Sequence, residues 1–188
     1  MARKEILEID PKEVILHDIR RHPIGLLSIF AVTGVLFVLF LGLVFFLITN
    51  AEQFGLEEAD GFVTLMATGI GSLIFIGGYI AAYVYRQNEM VITNENIILI
   101  NQISLFNRKI SQLNLAKIQD VTGHQDTFLE STFGYGTLSI ETAGEADNFI
   151  FPYSPNPHIH AKHIIEAHEQ FIKNHLNNNV IQAPYNPL

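Results

Sequence analysis

The chain carries two long apolar runs, and the rest of it alternates between apolar and polar positions. Residues 24–49 and 62–85 contain no Asp, Glu, Lys or Arg. An α-helix rises about 1.5 Å per residue, so each run is long enough to cross the roughly 30 Å hydrocarbon core of a bilayer. The pattern predicts a membrane hairpin over residues 24–85, made of two transmembrane helices joined by the loop 50–61.

Two other kinds of segment share some of these features. A cleaved signal peptide has an apolar core of about 7–15 residues close to the N-terminus, whereas here 23 residues precede a run of 26. A buried helical hairpin of a soluble protein does not need runs of this length. We therefore favour the membrane hairpin.

The charged residues that flank the runs predict the orientation. Arg20 and Arg21 precede the first run and Arg86 follows the second, whereas the loop 50–61 has four acidic residues and no basic one. Basic flanks of membrane spans stay in the cytoplasm. We expect a multi-pass protein of the plasma membrane with cytoplasmic N- and C-termini.

One face of the second run is built from small residues. Ala67, Gly71, Gly78 and Ala82 fall at offsets that place them on one side of a helix, where a neighbouring helix can approach closely. Neither run contains an acidic, basic or histidine residue, and transporters or ion pathways usually need such a group inside the membrane. The hairpin is predicted to be an anchor and not a conduit.

Residues 86–176 show the period-2 alternation and turn residues of a small β domain. The pattern predicts about six strands, a short helical or looped excursion capped by Asp126 and stopped by Gly134, and a C-terminal amphipathic helix over 158–176. The predicted strands cover 89–93, 96–103, 107–113, 117–125, 135–142 and 148–153. The fold class is a membrane hairpin plus an α+β domain, an antiparallel sandwich or barrel capped by a helix.

Two segments lie outside these units. Residues 1–23 form a predicted cytoplasmic N-terminal segment, in which residues 12–21 fit a short helix or a strand equally well. Residues 177–188 show no periodicity, so we expect a disordered tail.

Composition excludes several functions. The net charge of −8 argues against a nucleic-acid partner, because phosphate binding needs clustered Lys and Arg. The absence of cysteine excludes disulfides, thiolate metal sites and a cysteine nucleophile.

His158, His160 and His163 lack a clear acidic partner in their motif, so we interpret them as surface residues and expect no metal. His168, on the apolar stripe, is predicted to be a hydrogen-bonded packing residue.

Three segments resemble the bacterial pleckstrin-homology (PH) domain family, in particular its YdbS-like membrane group. They are VITNENIILINQISLFNRKISQLNLAKIQDV, TFGYGTLSIETAG and NPHIHAKHII, preceded by a His-Pro pair before the first apolar run. The resemblance covers about residues 18–171. It implies a PH fold tethered to the membrane as a binding or assembly module, without catalytic residues. Where the family often has a basic cluster at the third strand, this chain has only Arg108 and Lys109.

Two functional hypotheses remain open. The first is a non-catalytic module that binds a protein partner or itself through its sheet edges. The alternative is recognition of a lipid headgroup or small ligand at the inner leaflet, for which Arg108, Lys109 and Lys117 are the candidates. Residues 86–188 contain six Lys or Arg against ten Asp or Glu, so the sequence favours these three as ordinary solvated charges. We expect no enzyme activity and no cofactor, since no nucleophile-elbow pattern is present.

Overall fold

The computed structural model describes residues 10, 13–54, 60–142 and 148–182. The chain divides into two compact units. The helical unit is Pro23–Tyr85, and the strand unit combines the segments on either side of it, Met1–His22 and Arg86–Leu188.

The helical unit contains α1 (Ile24–Thr49), α2 (Ala51–Phe54) and α3 (Asp60–Arg86). α1 and α3 are long and apolar enough to span a membrane. Most of their large apolar side chains are exposed, whereas the core helix of a soluble protein would bury them. Within the predicted loop 50–61, residues 51–54 form the short helix α2, and α3 begins at Asp60; residues 55–59 lie outside the described part.

The predicted small-residue face of the second apolar helix is confirmed for three of its four residues, and the fourth, Ala67, is half-buried. Gly71, Gly78 and Ala82 are buried. A Cβ atom at Gly78 would lie 2.7 Å from the Thr33 side chain, and one at Gly71 would lie 3.4 Å from Phe40. The missing side chains therefore let α3 pack against α1.

The strand unit holds two antiparallel sheets. The strands of the first sheet are β1 (Ile15–Arg20), β2 (Glu89–Thr93), β3 (Asn96–Gln102) and β4 (Arg108–Asn114), in that order. A 3₁₀ turn, Leu115–Lys117, leads to the second sheet of β5 (Ile118–His124), β6 (Tyr135–Thr142) and β7 (Phe149–Pro155). α4 (Phe128–Phe133) lies between β5 and β6, and α5 (Pro157–Gln182) follows β7. The six predicted strands are confirmed, and the two sheets form a sandwich that does not close into a barrel.

β1 is a seventh strand, and it comes from the N-terminal segment. It pairs with β2 in a register that aligns Asp18 with Val91 and Arg20 with Glu89. Of the predicted segment 12–21, residues 15–20 form a strand and not a helix. As a consequence, the two long apolar helices come between β1 and β2 along the chain, although these two strands are neighbours in the sheet. The β domain includes residues on both sides of the hairpin.

The main core lies between the two sheets and α5. Its buried apolar side chains come from alternate strand positions and from one helix face: Ile19, Met90, Ile92, Ile97, Leu99, Leu113, Leu115, Val121, Leu138, Ile140, Phe151, Ala161, Ile164, Ala167 and Phe171. A smaller cluster, Val91, Ile98 and Ile100, occupies the opposite face of the first sheet. The prediction for His168 is confirmed, because its Nδ1 lies 2.7 Å from the Leu115 carbonyl oxygen.

Two predicted boundaries need correction. α5 continues to Gln182, so the predicted disordered tail is wrong for residues 177–182; residues 183–188 lie outside the described part, as does the predicted turn 143–147. Residues 158–183 contain no Gly or Pro, and extending an existing helix is far easier than starting one. The cap of α4 is Thr127 and not Asp126, because Thr127 forms a capping box with Glu130. Gly134 does stop this helix, with φ 68°.

Candidate functional site

One end of the first sheet receives both connections to the helical unit. Arg20 pairs with Glu89, Glu89 pairs with Ile100, and Ile100 pairs with Ile110. The β3–β4 turn follows immediately at Gln102 and Arg108. The turn therefore lies at the same end of the sheet as the points where the chain leaves for α1 and returns from α3. We call this the connection end and define it as residues 20–22, 86–89 and 103–109.

The β3–β4 turn is held by polar groups and presents apolar side chains outwards. The backbone N–H groups of Ile103 and Ser104 donate to the Asn107 carbonyl oxygen at 2.9 and 3.2 Å. The Gln102 N–H donates to Asn88 Oδ1 at 3.1 Å, which ties the turn to the segment that follows α3. Phe106 at the tip is 97% exposed, and Ile103 and Leu105 are also exposed. A well-ordered turn with exposed apolar tips is a candidate contact surface.

The structure brings together two of the three predicted ligand residues. Arg108 and Lys109 are exposed at the connection end, whereas Lys117 follows the far end of β4. The seven residues of β4 span roughly 20 Å at about 3.4 Å per residue. A single small headgroup cannot reach all three side chains.

Sequence reasoning missed three members of the basic group at the connection end. Arg20, Arg21 and Arg86 were assigned only to the orientation of the hairpin. The register places Arg20 at the same end of the first sheet as Arg108 and Lys109, and Arg21 and Arg86 lie next to this end in the chain. Arg21 Nε is buried, and the Arg21 guanidinium lies 5.9 Å from the centre of the Phe151 ring. The basic group of the connection end accounts for five of the eight Lys and Arg in the described residues, the others being Lys117, Lys162 and Lys173. Arg20 Nε lies 3.8 Å from the carboxylates of both Asp18 and Glu89. The signal that could have found the group is the strand character of residues 15–20.

A groove of about 390 Å³ opens beside Lys109. Its wall combines the β3–β4 side of the first sheet with the start of β7: Leu99, Asn101, Lys109, Ser111, Asn148, Phe149 and Ile150. This volume lies in the range of small-molecule sites. Polar and apolar groups line it together, so it suits a ligand of mixed character.

A stack of aromatic rings holds His22, which lies two residues before the first apolar helix. The rings of His22 and Tyr135 lie 5.6 Å apart, and those of Tyr135 and Tyr153 lie 5.9 Å apart. The His22 N–H donates to the Tyr153 carbonyl oxygen at 2.6 Å. Tyr153 has φ 57°, a left-handed conformation that is unusual for an aromatic residue. The stack therefore joins the end of β1 to the second sheet.

Residues 27–180 match the family model described as the bacterial PH domain. The chain belongs to the bacterial PH-domain family. The match covers most of both units, from within α1 to within α5. It does not separate subgroups, so membership of the YdbS-like group stays a prediction. No curated protein and no solved structure matches the chain. PH domains are generally binding modules, so the family indicates a binding or interaction module.

Three histidines meet inside this PH domain, where β1 packs against α5. The rings of His17 and His163 are stacked, with centroids 4.2 Å apart and planes inclined by 3°, and His160 meets His163 edge-on at 5.8 Å. The Nδ1 atoms of His160 and His163 are buried without a hydrogen-bond partner among the described residues. The prediction of surface histidines is therefore wrong for these two residues and right for exposed His158, because only the fold reveals His17 as their neighbour.

The pKa values of two of the three histidines are lowered in the folded domain. Burial lowers the pKa of His17 and of His160, and the nearby His163 lowers both pKa values further. Glu166 opposes this effect at His17. Within the described residues, no group of three or more His, Asp or Glu side chains is arranged to hold a metal ion. The cluster is a set of packed imidazole rings between β1 and α5.

Proposed function

We propose that this protein is an integral protein of the plasma membrane that presents its PH domain as a non-catalytic protein-interaction or assembly module in the cytoplasm. The observation that carries the proposal is the insertion of α1 and α3 between neighbouring strands β1 and β2. Three residues, 21–23, separate β1 from α1, and two residues, 87–88, separate α3 from β2. Two short connections join the domain to the helical unit, and both meet the first sheet at the same end.

β4 is the edge that best fits a protein partner. Among the described strands β4 pairs with β3 alone, and Arg108, Lys109, Ile110 and Gln112 are exposed along it. Such an edge offers backbone donors and acceptors to a strand from a partner or from a second copy of the chain. β1 and β5, which are also edge strands, are in contact with α5.

Cysteine crosslinking tests this proposal, because the chain contains no cysteine. Gln112→Cys places a single thiol on the β4 edge, and Glu169→Cys places a matched exposed thiol on α5. In native membranes we expect a discrete crosslinked product from Gln112→Cys, which disappears when Ile110→Asp is added, and none from Glu169→Cys. Equal products from both positions, or no product from either, would contradict an assembly role for this edge.

Recognition of a lipid headgroup or small ligand at the inner leaflet is the second candidate. The exposed basic residues of the connection end and the groove beside Lys109 favour it. Native mass spectrometry of the full chain released from membranes would count the anionic lipids that stay bound. Arg108→Ala with Lys109→Ala should reduce that number, whereas Lys162→Ala with Lys173→Ala should not; equal numbers would reject headgroup recognition by Arg108 and Lys109.

A further inference from the structure

Two exposed apolar surfaces of the strand unit carry opposite charges. The turn patch is the β3–β4 turn with the two basic residues that follow it: Ile103, Leu105, Phe106, Arg108 and Lys109. The α4 patch is α4 with the acidic residues at its start: Asp126, Phe128, Leu129, Glu130 and Phe133. We propose that the turn patch of one copy of the chain docks on the α4 patch of a second copy. This inference rests on the proposed assembly role, for which it names the partner and the two surfaces.

The charges of the strand unit are segregated along the chain. Residues 118–161, which run from β5 into the start of α5, contain six acidic residues and no Lys or Arg. Residues 86–117 contain four basic residues against two acidic ones. In the α4 patch, a hydrogen bond from the Thr127 backbone N–H lowers the pKa of Glu130, so its carboxylate stays ionised. Opposite charges guide two surfaces together and fix their register, so the α4 patch suits the turn patch better than it suits another α4 patch.

The apolar side chains of the two patches are of the same kind. Phe106 is 97% exposed at the tip of the turn, and Phe128 is 83% exposed on α4. Aromatic residues often dominate the binding energy of protein contacts, because they bury a large apolar area. Three large apolar side chains on each patch make a small contact, comparable with weak and transient interfaces. Copies that are anchored in one membrane meet at a high effective concentration, so a weak contact is sufficient.

Both patches are held in shape before any partner arrives. The turn is closed by the backbone hydrogen bonds described above. α4 begins at the capping box of Thr127 and Glu130 and ends at Gly134. Gln125 Nε2 donates to the carbonyl oxygens of Glu130 and Tyr135 at 3.1 and 2.9 Å, which ties α4 to the start of β6. Ordered surfaces lose less conformational entropy on docking than flexible ones.

The two patches of one copy do not cover each other. Tyr135, two residues after α4, stacks on His22 at the end of β1, whereas the turn joins β3 to β4 on the other side of the first sheet. Three strand spacings of about 4.8 Å, roughly 14 Å, separate β1 from β4. A contact between the patches therefore joins two copies. It is heterologous, and since each copy carries both patches it can repeat from copy to copy.

Crosslinking between differently tagged copies tests this contact, because the chain contains no cysteine. One copy carries Leu105→Cys in the turn patch, and the other carries Ser131→Cys on α4, where Ser131 is exposed. Both full-length copies are expressed together, and a short bismaleimide is added to opened native membranes. We expect a product with both tags, several-fold stronger than the product formed when Glu169→Cys, exposed on α5, replaces Ser131→Cys.

Further substitutions separate docking from chance collision. Phe128→Asp on the Ser131→Cys copy should remove the mixed product, whereas Leu176→Asp on the same copy, at an apolar position of α5 that is 60% exposed, should leave it unchanged. Arg108→Glu on the Leu105→Cys copy should weaken the product. Asp126→Arg on the other copy should then restore it, because opposite charges face each other again. A product that persists with Phe128→Asp, or that Asp126→Arg does not restore, would overturn the inference.

The other outcomes separate this inference from the proposed function. Absence of the mixed product, while Gln112→Cys still gives its product at the β4 edge, would overturn the inference and leave the assembly role standing. Loss of both products would defeat the assembly role as well. A product between two Leu105→Cys copies as strong as the mixed product would overturn the heterologous contact. A Leu105→Cys thiol that a water-soluble maleimide cannot reach, even when every copy carries Phe128→Asp, would place the turn in lipid and also overturn the inference.

Discussion

Ile19→Ala tests whether the N-terminal segment is an integral strand of the PH domain. Ile19 is 1% exposed and belongs to the main core. The substitution removes three buried carbon atoms, worth roughly 2.4 kcal/mol at about 0.8 kcal/mol each, and leaves a cavity that adds to the loss. We expect the free energy of unfolding to fall by about 3 kcal/mol. For a domain of this size the unfolding midpoint should then fall by on the order of 10–20 °C.

The assay is hydrogen–deuterium exchange of the full-length protein in detergent along a temperature series, read from peptides of β2 and β3. These peptides report on the sheet that β1 joins, while α1 and α3 serve as an internal reference. Leu16→Ala is the matched control, because Leu16 lies on the same strand and is 39% exposed; its effect should stay below about 1 kcal/mol. If both variants unfold β2 and β3 at the same temperature, the segment is not part of the sheet and the reasoning fails.

Three further predictions concern packing and pH. Gly136→Ala should destabilise the PH domain by roughly 1–3 kcal/mol in the same exchange assay, because its Cβ would overlap the carbonyl oxygen of the neighbouring strand; wild-type midpoints would contradict this. Gly78→Leu should separate α3 from α1 and lower the thermal stability of the detergent-solubilised protein, whereas Gly77→Leu, which faces open space, should not; equal stabilities would refute the packing. Burial lowers the pKa of His17 and His160, so the unfolded chain binds protons at a higher pH than the folded chain. Stability should therefore be complete above the ordinary histidine value of about 6.5 and decrease as the pH falls through the lowered values. Chemical denaturation across this range measures the slope, which His17→Gln with His160→Gln should flatten; an unchanged slope would assign it to other groups.

The elements that are encoded by local pattern could be predicted from the sequence. α1 coincides with its predicted range because an uninterrupted apolar run is a strong local signal. The strands after residue 88 follow from period-2 alternation. The end of the short helix at Gly134 follows from the left-handed conformation that a helix stop often requires and that glycine adopts easily. These features depend on residues close in the chain, so a single sequence is enough to locate them.

The features that depend on distant partners could not be predicted. β1 pairs with a strand some 70 residues later, and its own residues fit a helix equally well. The position of Arg20 at the same end of the first sheet as Arg108 becomes visible only once β1 is known to pair with β2. His160 and His163 were interpreted as surface residues because their partner His17 belongs to the other end of the chain. In each case the deciding contact is tertiary.

Membrane topology is the central claim of this account, and cysteine labelling in intact cells tests it most directly. Glu52→Cys places a thiol in the segment between α1 and α3, and Gln112→Cys places one on β4. A membrane-impermeant maleimide should label Glu52→Cys in intact cells and Gln112→Cys only after the membrane is opened. Labelling of Gln112→Cys in intact cells, or protection of Glu52→Cys, would contradict a cytoplasmic PH domain anchored by a hairpin between its first two strands.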